Sequence, residues 1–204
     1  MVGNDVIDLG DPETWPGGCH ARFDARVFAA VELEALAVSA LPVRLRWILW
    51  AAKEAAYKVA KKEDGGTVFS PSRFVVRLTK DYHADVVHGA RSYTVALEVG
   101  ERYVHAIAAD VVQAPGTVVA GVERIAAGDA TCPGTAVRAF ATARLASHLG
   151  IALSELSVAR DGRIPRLERA GDAVGADLSL SHHGRFVAFA CVLPTASDEL
   201  RGAL

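Results

Sequence analysis

Apolar positions run through this chain in two rhythms. Residues 2–9 form a short apolar run carrying Asp5 and Asp8, and read as a strand. Residues 11–18 are rich in Pro and Gly and read as a loop. Over 25–40 the spacing of Val27, Phe28, Val31 and Leu36 predicts a helix. Pro42 breaks it, and 42–62 predicts a second helix ended by Gly65 and Gly66. Residues 74–79, 92–99 and 102–111 alternate or run apolar, as strands do. A glycine-bearing join follows over 115–134. Beyond it come a helix over 135–149, stopped by Gly150, and strands over 156–160, 176–181 and 185–193. The tail from Thr195 is polar.

The pattern repeats. Residues 102–109 read like residues 185–192, at an offset of 83. At the same offset Val75 and Arg77 fall on Val158 and Arg160. Each copy follows an Ala-rich helical stretch, 46–62 in one case and 136–149 in the other. Before the second helix, residues 120–125 look like a worn copy of residues 2–7. Each half therefore reads as strand, helix, strand, strand, strand, which points to an internal duplication.

Composition narrows the class. With 22 basic and 24 acidic residues the formal charge is −2, so a strongly basic nucleic-acid binder is excluded and charged recognition must come from local patches. Apolar residues at 51 % supply enough side chain for a folded core, and 204 residues allow one sizeable domain or two small ones. The longest apolar stretches, such as 47–52, are too short to span a bilayer, and no signal peptide is visible. Cys19, Cys132 and Cys191 are odd in number and fit no zinc spacing, so the expectation is reduced thiols in a cytoplasmic protein without membrane or nucleic-acid partners.

Two constellations carry candidate chemistry. In the segment Trp50 to Lys58, Glu54 and Lys58 stand one helical turn apart. An ion pair on a solvated face would explain that spacing. Yet Ala51, Ala52, Ala55 and Ala56 flank the charges, so another element can approach the helix backbone closely. Asp5 on a strand and Glu54 on the helix would suit Mg2+, which takes one or two carboxylates with water and phosphate oxygens. Lys53 and Lys58 would then face the phosphates. The second constellation is Arg163 at the tip of a turn, with Ser181 and His182 at a strand end. Ser179 and Ser181 share one strand face, and Leu178 and Leu180 the other. A hydroxyl, an imidazole and a guanidinium together suit a phosphate. At the offset of 83, Ser181 and His182 fall on Glu98 and Val99, so each half lacks what the other keeps. That pattern suggests one composite site between the halves.

These residues together resemble the 4′-phosphopantetheinyl transferase superfamily. Gly3-Asn4-Asp5 is similar to its metal-binding strand motif. Trp50-Ala-Ala-Lys53-Glu54-Ala-Ala-Tyr-Lys58 resembles its lysine–glutamate helix, and Ser179-Leu-Ser181-His182 its coenzyme A phosphate motif. Arg22-Phe23, with Arg26, Phe28 and Glu32, is similar to a helix of the small holo-acyl-carrier-protein synthases. The motif order is that of the small synthases, whereas in surfactin-type enzymes the phosphate motif precedes the metal motif. Three positions depart from the pattern. Ile164 separates Arg163 from Pro165, Ile7 stands where surfactin-type members often carry an acid, and His183 replaces a small or hydroxyl residue. Asp8 would point to the opposite strand face from Asp5.

The resemblance implies an α+β fold of two similar halves, 1–114 and 115–204, fused as a pseudo-dimer that is monomeric and builds one composite active site. It implies transfer of 4′-phosphopantetheine from coenzyme A to a serine of an apo acyl carrier or peptidyl carrier protein, with release of adenosine 3′,5′-bisphosphate. Asp5 and Glu54 would hold Mg2+, and Glu54 or a water on the metal would take the serine proton. Lys58 would act in catalysis by offsetting charge on the leaving or transferring phosphate, Lys53 would help bind it, and Ser181, His182 and Arg163 would hold the 3′-phosphate. Arg22 and Arg26, with Arg44 and Arg46 behind them, would meet the acidic carrier. The rival reading is a non-catalytic module of the same fold that binds coenzyme A or a carrier. A different phosphotransferase has no glycine-rich phosphate loop or kinase signature to support it.

Overall fold

Every residue of the first strand is buried, and the rest of the fold is arranged around it. The structure, a computed structural model, describes residues 1–79, 82–109, 118–125, 132–162 and 164–194. The elements run β1 (Val2–Asp8), α1 (Phe23–Val27), α2 (Ala30–Val38), α3 (Pro42–Glu63), β2 (Val75–Leu78), β3 (His83–His88), β4 (Arg91–Val99), β5 (Tyr103–Ala109), β6 (Val118–Arg124), α4 (Pro133–Leu149), β7 (Leu156–Asp161), β8 (Ile164–Arg169), β9 (Asp172–Ala173), β10 (Asp177–His183) and β11 (Phe186–Val192). The fold is mixed α+β, as the alternation of patterns predicts. Among the described residues no helix is long and apolar enough to cross a membrane.

The strands form three antiparallel sheets, ordered β1-β5-β4-β3-β2, β10-β11-β6 and β7-β8-β9. Helix α3 packs on the first sheet and α4 on the second, each over its own apolar core. Both helices start with Pro in the first turn, where no intrahelical N–H is needed. α4 ends as predicted at Gly150, whose φ of 65° is the left-handed cap. α3 turns a stripe of small residues, Ala51, Ala52, Ala55 and Ala56, toward β1, all fully buried. The approach is so close that a Cβ at Gly3 would run into the carbonyl oxygen of Ala55. The backbone contact foreseen from the alanines is thus made, and glycine on the strand permits it.

Two strand pairs share one register at the offset of 83. β11 lies between β10 and β6 as β5 lies between β4 and β1. Thr94 opposes Ala109 and Val99 opposes Val104; at an offset of 83, Asp177 opposes Val192 and His182 opposes Val187. β6 falls inside the 115–134 join, over the worn copy of the first strand. Its match differs by two residues from the sequence reading: Val2 opposes Ala109 and Val118 opposes Val192, so Asp5 corresponds to Gly121. A two-residue slip keeps every side chain on its face, so hydrophobic patterning alone does not fix it.

Two local departures have simple causes. The helix predicted over 25–40 is broken at Phe28 and Ala29 into α1 and α2. The Glu32 carboxylate accepts the Ala29 N–H at 2.7 Å and starts α2 afresh. Strand β8 begins at Ile164, where the Pro-containing segment reads as a turn, because β7 provides a pairing partner through Pro165 and beyond. The polar tail from Thr195 lies outside the described residues.

β1 is the edge of its sheet, and an edge needs cover. Here side chains of β10 provide it. Asp177, Ser179, Ser181 and His183 accept hydrogen bonds from the backbone N–H groups of Val2, Asn4, Val6 and Asp8 in turn. Lys62 and Lys58 of α3 donate to the carbonyl oxygens of Val2 and Asn4 on the same strand. Chain segments far apart in sequence are thereby clasped around one strand.

Candidate active site

Asp5 lies at the middle of this clasp. It is 8 % exposed, and its Oδ1 accepts from Lys58 Nζ at 3.0 Å and from Ser181 Oγ at 2.8 Å. Lys58 Nζ also donates to the Asn4 carbonyl at 2.7 Å, which leaves one of its three protons for the space in front. Glu54 sits one turn before Lys58 on α3. These residues line a cleft of about 290 Å3 together with Trp50, His182 and His183. The structure therefore brings Asp5, Glu54, Lys58, Ser181 and His182 together, as the sequence predicts.

The electrostatics single out Glu54. Burial, and then the charge of Asp5, push its carboxyl up to about 7, while Lys58 opposes the shift. Two carboxylates held in a half-buried cleft repel when both are ionised, and a divalent cation relieves that repulsion. The donors are hard oxygens, so the residues fit Mg2+. Among the described residues no group of three or more His, Cys, Asp or Glu side chains stands ready to hold a metal. A cation at Asp5 and Glu54 would complete its shell with water and phosphate oxygens, which is the habit of Mg2+.

Behind the cleft, burial and the Lys58 charge push His105 down to about 4. Its neutral ring meets Asn4 Nδ2 at 3.2 Å. Asp8 is also buried and faces away from the cleft. Its carboxylate accepts from the backbone N–H groups of Gly10 and Arg185 and from the Arg185 guanidinium. Burial raises its pKa, but these bonds outweigh burial and hold it below the ordinary value.

The cleft continues toward the second half. His182 and Leu180 also line a pocket of about 310 Å3 that Arg138 of α4 and Arg160 of β7 enter, beside Gly162 and Pro165. Burial, Lys58 and His183 lower the pKa of the exposed His182 imidazole, and Asp5 opposes them. Leu180 and Lys58 also border a third space of about 420 Å3 with Tyr57 and Lys61. Arg138 and Arg160 were not expected at the site. Arg160 had one signal, its place in the repeat opposite Arg77; Arg138 had none, because helical spacing does not say which pocket α4 will border.

Lys53 corrects an expectation. Its ammonium is fully buried and donates to Glu32 Oε2 at 2.6 Å, to the Phe74 carbonyl at 2.6 Å and to the Pro71 carbonyl at 3.2 Å. All three protons are used, so none is left for a phosphate. One residue along a helix turns the side chain by about 100°, which takes Lys53 into the core while Glu54 faces the cleft. Burial lowers its pKa and the bond to Glu32 opposes that shift. Arg163 lies outside the described residues.

Arg22 and Arg26 are exposed at either end of α1 and carry no ion pair among the described residues. The two arginines expected behind them are committed elsewhere. Arg46 forms a two-pronged pair with Asp24, both bonds 2.7 Å, and Arg44 donates to the carbonyls of Val99 and Gly100. α1 adjoins the cleft through Phe23, whose ring lies 5.4 Å from that of Trp50. No family model matches the chain, and no curated protein matches it.

Proposed function

We propose that this protein is a Mg2+-dependent 4′-phosphopantetheinyl transferase acting on an apo acyl carrier or peptidyl carrier protein. The observation that carries the reading is the convergence of Asp5, Glu54, Lys58 and His182, from a strand, a helix and a distant strand end, in one cleft. The matched registers of β4–β5 and β10–β11 support a pseudo-dimer of two related α+β halves, with the site where they meet.

Asp5 and Glu54 would hold Mg2+. Bound there, the ion would neutralise the pyrophosphate of coenzyme A and polarise the phosphorus under attack. The chain's own groups supply the rest. Lys58 presents its remaining proton to a phosphate oxygen. His182, with Arg138 and Arg160 in the adjoining pocket, meets the anionic nucleotide end. The serine oxygen of the carrier forms a bond to the phosphorus that bears the pantetheine arm. The bond from that phosphorus to the bridging oxygen breaks, and adenosine 3′,5′-bisphosphate leaves. The serine proton goes to Glu54, the carboxylate that lines the cleft one helical turn before Lys58. Exposed Arg22 and Arg26 on α1 offer the cationic face that an acidic carrier requires.

The test is the intact mass of several apo carrier proteins after incubation with this protein, coenzyme A and Mg2+, with an EDTA control. The expected result is a gain of one phosphopantetheine group that EDTA abolishes. No gain on any carrier, with coenzyme A still bound, would favour a non-catalytic binding module instead.

A further inference from the structure

We infer that Ser181 is a positioning residue for the Asp5 carboxylate and not a ligand of the coenzyme A phosphate. The inference rests on the transferase reading of the cleft. A serine hydroxyl has one proton and two lone pairs. The Ser181 proton is donated to Asp5 Oδ1 at 2.8 Å, and one lone pair accepts the Val6 N–H at 3.2 Å. Both residues are nearly closed to solvent, Ser181 at 7 % and Asp5 at 8 %. Phosphate oxygens near neutral pH are hydrogen-bond acceptors and need a donor. Ser181 has no second proton to give. Turning its hydroxyl toward a phosphate would take a hydrogen bond from a largely buried carboxylate, which is costly.

The clasp explains why a serine stands at this position. The four side chains on one face of β10 each accept an N–H of β1, and Ser181 is the one that also donates to the carboxylate in the cleft. With Oδ1 held by Ser181 and Lys58, Oδ2 is the oxygen of Asp5 without a hydrogen bond among the described residues, and it is the one left for a cation. Outer partners of this kind fix the orientation of a metal-binding carboxylate. The second half of the chain thus shapes the metal end of the site without supplying a ligand. His182, exposed and bordering both pockets, keeps the phosphate role alone in this segment.

Binding experiments on the full chain separate the roles. Mn2+ uptake is followed by the electron paramagnetic resonance signal of the free ion, and adenosine 3′,5′-bisphosphate binding by calorimetry in EDTA. Ser181→Ala is expected to weaken Mn2+ binding about tenfold or more while nucleotide binding stays within about twofold. Ser181→Thr, which keeps the hydroxyl, is expected to restore Mn2+ binding. His182→Ala is expected to do the reverse, sparing Mn2+ and weakening the nucleotide. Should Ser181→Ala fail to fold, Ser181→Cys is read in its place with the same expectation. A serine variant that keeps Mn2+ affinity and loses the nucleotide overturns the assignment, as does equal loss of both. Wild-type protein that takes up no Mn2+ overturns the metal reading itself, and the role of Ser181 with it.

Discussion

Asp8 and Arg185 lock the end of β1 to the start of β11. The Asp8 side chain is 1 % exposed, and Arg185 Nε lies 3.0 Å from its Oδ2. The same carboxylate accepts the backbone N–H groups of Gly10 and Arg185, so it gathers the exit of β1 and the entry to β11. Asp8→Ala is expected to cost about 2 kcal/mol at pH 7, because backbone N–H groups lose their partner while the half-exposed guanidinium can turn to water. The folded carboxyl titrates below its ordinary 3.8, so its stabilisation is present above that value and fades as pH falls below it. Urea melts of both proteins should therefore differ at pH 7 and draw together under strongly acidic conditions.

Glu54 carries the opposite sign. Its folded pKa of about 7 lies above the ordinary 4.5, so the folded state holds more protons than the unfolded state between those values. Stability falls as pH rises through that window, by on the order of 3 kcal/mol once the carboxyl is ionised in both states. Glu54→Gln is expected to raise the Tm at pH 8, to leave it nearly unchanged at pH 4, and to cut turnover by about two orders of magnitude or more. Adding Mg2+ at pH 8 should raise the Tm of the wild type and not that of the variant. A variant that retains near-normal turnover would remove Glu54 from the chemistry.

Gly3 tests the seam between β1 and α3. A methyl group there meets the Ala55 carbonyl oxygen, with Lys58 Cβ and Val59 Cγ2 each 3.1 Å away. Neither the strand nor the helix backbone can yield locally, so Gly3→Ala should cost about 2 kcal/mol or more. It should also weaken Mn2+ binding, since Asp5 and Glu54 sit on the two elements forced apart. Thermal melts and metal titrations of the same sample check both.

The proposed recognition of a carrier can be tested apart from the proposed chemistry. Arg26→Glu reverses a charge that makes no ion pair among the described residues. The KM for the carrier should rise about tenfold, with kcat and the KM for coenzyme A little changed, because a surface charge acts mainly on encounter and docking. An unchanged KM would make Arg26 an ordinary surface arginine.

Much of this architecture was written in local pattern. Proline at the start of both long helices, Gly150 at the end of one, and the alternation of β4, β5, β10 and β11 are decisions made within a few residues. The offset of 83 also relates the registers of β4–β5 and β10–β11, although β10 buries Ser179 and Ser181 where β4 exposes Ala96 and Glu98. Other features needed partners from afar. The break at Ala29 depends on Glu32, whose other carboxylate oxygen accepts the Val76 N–H 44 positions on. β8 depends on β7. The two-residue slip of β6 was invisible because period-two patterning is blind to it.

For the candidate site, residue types and their spacing along α3 and β10 are legible in the chain, and that was enough to name Asp5, Glu54, Lys58 and His182 as residues of one cleft. Which protons such residues have left to give depends on the partners that packing brings to them. Lys53 and Glu54 are neighbours in sequence, yet one is caged by three core acceptors and the other faces the cleft. Ser181 sits in the expected place with its proton already spent on Asp5. A hydrogen bond between residues 176 positions apart is set by how strand edges and helices pack, and no local pattern in the chain encodes that choice.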